Sequence, residues 1–130
     1  MPVTVLIVED VDSCVDMLAV ALDSLPDVRV ETAASGQQAW RTIQEIPINA
    51  IITDLHLPLM DGFELLEKIR AGERTARLPV IVVSGDSDPG TPARVRRLGA
   101  DAFFEKPYSP AQVRATLERL LHERSVEPSP

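Results

Sequence analysis

Five short apolar runs, each followed by a segment of helical periodicity, limit this chain to very few architectures. The runs are Val3 to Val8, Val28 to Thr32, Ala50 to Thr53, Leu78 to Val83 and Ala102 to Glu105. Several are too continuously apolar to be half-exposed strands and read as strands buried on both faces. Short helices between buried strands require parallel strands joined by crossovers, with helices on both sides of one sheet. The expected fold is therefore α/β. Its 130 residues suit one domain with a real core.

Local signals punctuate the rhythm. Asp12 or Ser13 is expected to cap a first helix carrying Val15, Leu18, Ala19, Leu22 and Leu25, stopped by Pro26. Ser35 and Gln38 form a capping box ahead of Ala39, Ile43 and Ile46. Asp61 caps a helix with Phe63, Leu65, Leu66 and Ile69, ending near Gly72. Thr91-Pro92 supplies a cap and a first-turn proline to a short helix ending near Leu98-Gly99. Ser109-Pro110 opens the last helix, with Val113, Leu117, Leu120 and Leu121 on one face. Residues 1–124 read as the domain and 125–130 as a short tail.

The formal net charge of −7 argues against direct binding of nucleic acid, which needs a basic face. Cys14 is the single cysteine, so no internal disulfide is possible, and a reducing cytoplasmic setting is expected. The N-terminus lacks a basic region before its apolar run, and no stretch approaches the ~20 apolar residues of a membrane helix, so membrane insertion is not expected.

Parallel strands aim their carboxyl ends at one rim, which is where open α/β sheets bind ligands. Glu9 and Asp10 follow the first strand, Asp54 the third, Ser84 closes the fourth, and Lys106 follows the fifth. Crowded carboxylates repel unless a cation joins them, and a hard divalent ion, Mg2+ above all, prefers oxygen ligands. Lys106 adds a positive charge and Ser84 a hydroxyl donor. Such a set suits an incoming phosphoryl group, with Asp54 as nucleophile forming an acyl phosphate.

These residues are similar to those of the receiver domains of two-component response regulators. The resemblance rests on Glu9-Asp10, the run from Asp54 to Asp61-Gly62, Ser84-Gly85, Gly99-Ala100-Asp101 and Lys106-Pro107, and it covers residues 3 to about 122. It implies a flavodoxin-like doubly wound sheet of five parallel strands in order 2-1-3-4-5 with five helices. It implies that Asp54 is the phosphoacceptor, Asp10 a direct Mg2+ ligand, Glu9 the acid holding a metal-bound water, and the His56 carbonyl a further ligand. Ser84 and Phe103 take the switch positions, Lys106 pairs with the phosphoryl group, and the Lys106-Pro107 bond is expected to be cis. The phosphoryl donor would be a histidine kinase or a histidine phosphotransfer protein, and the output an unknown target protein. The protein would be a self-modifying signalling switch and not an enzyme acting on other substrates. A relay intermediate passing the group to a downstream histidine, or a receiver piece of a longer regulator or hybrid kinase, are the alternatives.

Overall fold

The computed structural model describes residues 2–125. Strands β1 (Val3–Val8), β2 (Val28–Ala33), β3 (Ala50–Thr53), β4 (Val80–Ser84) and β5 (Ala102–Glu105) alternate with helices α1 (Asp12–Leu22), α2 (Gly36–Glu45), α3 (Gly62–Ala71), α4 (Thr91–Arg97) and α5 (Pro110–Ser125). All pairings are parallel and the order is β2-β1-β3-β4-β5, as expected. No helix among the described residues is long and apolar enough to cross a membrane.

Alternation along each strand divides the core into two layers. Leu6 and Val8 of β1, Ile51 of β3, and Val80 and Val82 of β4 pack against α2, α3 and α4 through Ala39, Ile43, Leu65, Leu66, Ile69 and Val95. Val5, Ile7, Ala50, Ile52, Ile81 and Val83 face the other way, onto Leu18 and Leu22 of α1 and Val113, Leu117 and Leu120 of α5. Burial of each such Leu or Ile side chain contributes roughly 1.5–3 kcal/mol. Strands covered on both sides explain why β3 and β4 contain only buried residues.

Two caps form as the sequence signals. Ser35 Oγ accepts the Gln38 N–H at 3.0 Å, while Gln38 Oε1 accepts the Ala34 N–H at 2.9 Å. Asp61 Oδ1 accepts the Glu64 N–H at 2.9 Å. Two others differ from expectation. Val11, with extended backbone and no side-chain cap bond, precedes α1, so Asp12 lies inside the first turn, where its charge favours the helix dipole. Gly90 precedes α4 in a helical conformation, because the loop's own Asp88 side chain accepts the Gly90 N–H, and Thr91 is already helical. Helix α1 also ends earlier than expected, at Leu22, and the Leu25 N–H closes a turn onto the Leu22 carbonyl at 3.0 Å. Strand β4 starts at Val80 and not Leu78. Ser125, expected in the tail, belongs to α5; the rest of that tail, residues 126–130, lies outside the described residues.

Candidate functional site

The strand order reverses between β1 and β3, and the register there pairs Val8 with Thr53. The next residue of each strand, Glu9 and Asp54, therefore leaves the sheet side by side at the topological switch point. The Asp54 N–H donates to the Val8 carbonyl at 3.0 Å and locks that alignment. On the far side of β4, Ser84 pairs with Glu105, and the Lys106 N–H donates to the Ser84 carbonyl at 2.8 Å. Lys106 is thereby launched from the same rim. The Lys106-Pro107 bond is cis, as the resemblance implies.

Lys106 spans the two carboxylates. Its Nζ donates to Asp54 Oδ2 at 2.7 Å and to Glu9 Oε1 at 2.8 Å. The other Asp54 oxygen, Oδ1, accepts backbone N–H groups from Leu55 at 2.5 Å and His56 at 3.2 Å. Asp54 and Glu9 are both buried. Burial pushes the Asp54 carboxyl up, but hydrogen bonds from Glu9, Lys106 and the His56 backbone outweigh it and hold the group below its ordinary range. Glu9 goes the other way: burial first, then its hydrogen bond with Asp54, raise it to about 7 against the pull of Lys106. Of the two acids Asp54 is thus the one held more firmly in its ionised form, the state a nucleophile needs. Burial would lower the Lys106 ammonium, yet its bonds to Asp54 and Glu9 raise it.

The remaining expected residues are distributed around this triad. Asp10 is exposed beside Glu9. The fully buried Ser84 points its oxygen toward its own loop, where Oγ accepts the Asp86 N–H at 3.0 Å. The His56 ring stands at the rim with Nε2 3.3 Å from Asp86 Oδ2. Phe103 is half-buried and packs on the core layer under α2, α3 and α4. The rim therefore joins Glu9, Asp54 and Lys106 directly, while Ser84, Asp86 and His56 form a second linked set beside them.

Among the described residues, no three His, Cys, Asp or Glu side chains are already gathered to hold a metal ion. The chemistry of the donors nevertheless fits a hard divalent cation. Glu9 Oε2 is buried with no hydrogen-bond partner, and the groups at hand are carboxylates and a backbone carbonyl.

Two contacts had no sequence signal. The His56–Asp86 pair joins residues from different loops, and only the fold brings them together. Gly62 is required by close approach: a Cβ there would fall on the Asp54 carbonyl oxygen and lie 2.6 Å from Leu55 Cα. The Asp61-Gly62 pair hints at a tight helix entry, but not at contact with the phosphoacceptor candidate's own backbone.

Fold and rim together define a receiver-type module, and this chain belongs to the response regulator receiver domain family, whose family model matches residues 5–118. It is 29% identical over 120 residues to response regulator Rre1 of Synechocystis, covering 92% of this chain and 52% of that protein. The chain thus spans about half the length of that relative and 47% of a second, regulator GtcR of Aneurinibacillus migulanus, to which it is 31% identical over 91% of its length. Among solved structures it resembles a response regulator from Chloroflexus aurantiacus, described as putative, at 30% identity and TM-score 0.87, covering 94% of this chain and 99% of that one. At 29% identity and TM-score 0.83, with the same coverage of each chain, it also resembles the receiver domain of sensor histidine kinase PA1611 from Pseudomonas aeruginosa, whose structure has a magnesium ion in the active-site cleft.

Proposed function

We propose that Asp54 accepts a phosphoryl group from a phosphohistidine of a histidine kinase or phosphotransfer protein, and that the resulting acyl phosphate alters affinity for a downstream target protein. The observation that carries this reading is the ionised Asp54 at the end of β3, held by Lys106 at 2.7 Å. An Asp54 carboxylate oxygen attacks phosphorus, the P–O bond forms as the P–N bond breaks, and the imidazole leaves neutral after taking up a proton. Lys106 neutralises charge on the transferring oxygens. The Leu55 and His56 N–H groups orient the carboxylate from its other oxygen.

Mg2+ would be held by Asp10, Asp54 and the His56 carbonyl, with Glu9 through water, and would neutralise charge on the phosphoryl oxygens. Ser84 turns its hydroxyl from the Asp86 N–H toward the phosphoryl group, and Phe103 fills the vacated space. A change of the α4–β5 region follows, and partner affinity with it.

Acetyl phosphate with Mg2+ tests the reading. Intact mass should show one added phosphoryl group on the wild type, little without Mg2+, and none on Asp54→Asn. Equal labelling of Asp54→Asn would overturn the assignment.

A further inference from the structure

Asp86 uses three groups at once. Its N–H donates to Ser84 Oγ at 3.0 Å, its Oδ2 lies 3.3 Å from His56 Nε2, and its Oδ1 accepts the Asp88 N–H at 2.8 Å. Asp88 Oδ1 in turn accepts the Gly90 N–H at 2.9 Å, just before α4. His56 lies two residues after Asp54 and Asp86 two residues after Ser84, so this one residue ties the loop after β3 to the loop after β4.

We infer that His56 and Asp86 form a clasp that holds the Ser84 hydroxyl in its resting position, so that both are positioning residues opposing activation. This rests on the reading of Asp54 as phosphoacceptor. While the clasp is closed, the Asp86 N–H is fixed where it engages Ser84 Oγ. For Ser84 to turn toward a group on Asp54, that bond has to be given up and the loop from Gly85 to Gly90 has to shift. Releasing the Asp86 side chain lowers the barrier to that shift and raises the population of the activated arrangement. The His56 side chain is 63% exposed and that of Asp86 19%, so the clasp has the modest strength of a partly solvated pair. Its removal is expected to change an activation equilibrium by about two- to fivefold.

The probe is beryllofluoride with Mg2+, which mimics the acyl phosphate without hydrolysing. His56→Ala and Asp86→Ala each retain the backbone groups and should bind it about two- to fivefold more tightly than wild type. The double variant should bind no more tightly than Asp86→Ala alone, because Asp86→Ala already removes the His56 contact together with the Asp88 N–H bond. His56→Gln, whose side-chain amide can still donate, should return toward wild type. In the free protein, hydrogen exchange of the Asp86 amide should be faster in His56→Ala, a local readout independent of any ligand. Unchanged or weaker binding by the single variants, or effects that add in the double variant, overturn the clasp while leaving Asp54 as phosphoacceptor. A wild type that binds no beryllofluoride removes the phosphoacceptor reading, and the clasp with it.

Discussion

The Lys106 ammonium lies 2.7 Å from Asp54 Oδ2, across a sequence separation of 52 residues. A second bond, to Glu9 Oε1, makes Lys106 the only cation bridging these two buried carboxylates among the ion pairs of the described residues. Charge balance at the head of β1 and β3 therefore depends on one side chain from the end of β5.

Lys106→Ala tests that dependence. Removing one partner of a buried pair leaves uncompensated charge. Since the Lys106 side chain is 22% exposed, the cost should fall at the lower end for such losses, about 3 kcal/mol in urea unfolding at neutral pH. Added Mg2+ should recover part of it by binding the native state. A variant as stable as wild type without Mg2+ would show that the carboxylates do not repel.

Glu9 gives a pH dependence with a definite sign. Its folded-state pKa is raised to about 7 from 4.5, chiefly by burial, so between those values the native state binds more protons than the unfolded chain. Its contribution to stability therefore falls as pH rises through that window. Asp54, lowered in the fold, contributes the reverse below its ordinary range. Mg2+ competes with the Glu9 proton, so its stabilisation should be larger at pH 8 than at pH 6. Thermal melts at both pH values, with and without Mg2+, check this; equal shifts would contradict it.

Gly62→Ala should fail for a steric reason. The added Cβ meets the Asp54 carbonyl oxygen and the Leu55 Cα, and backbone yields less than a flexible side chain. Overpacking of this kind costs typically 1–3 kcal/mol, and here the upper half is expected. Chemical denaturation gives the cost, and the displaced Asp54 should also slow labelling by acetyl phosphate. A fully stable variant with normal labelling would contradict the close approach.

Phe103→Ala separates chemistry from switching. Phe103 packs against the α2–α3–α4 core layer and makes none of the hydrogen bonds at Asp54. The variant should be labelled by acetyl phosphate at a near-normal rate. It should lose most of the beryllofluoride-induced change in hydrogen exchange over α4 and β5. A truncated half-buried ring also costs stability, about 1–2 kcal/mol. An undiminished exchange response would make the ring a passive packing residue.

What could be read from the sequence follows from how local each signal is. Unbroken apolar runs such as Ile51-Ile52 and Val80 to Val83 gave the buried strands, and the intervening periodicity required parallel pairing. The acids and lysine at strand ends then pointed to Glu9, Asp54 and Lys106 meeting on one rim. Helix starts were harder, because Asp88 caps the Gly90 N–H from within its loop and shifts α4 by one residue. Convergence was also overstated: Asp10 is exposed, and Ser84 is engaged by Asp86. The Arg70 guanidinium, bonded to the Gly99, Ala76 and Leu78 carbonyls and to Asp101, joins two loops that no periodicity connects. Such contacts depend on side-chain direction after folding, which residue type and spacing do not encode.

The most direct test of the account is where the phosphoryl group resides. After treatment with acetyl phosphate and Mg2+, borohydride reduces an aspartyl phosphate to homoserine, and peptide sequencing by mass spectrometry locates it. The account predicts homoserine at position 54 alone, with little formed when Mg2+ is omitted. Modification at Asp10 or Glu9, or label retained on His56 with Asp54 unaltered, would contradict it.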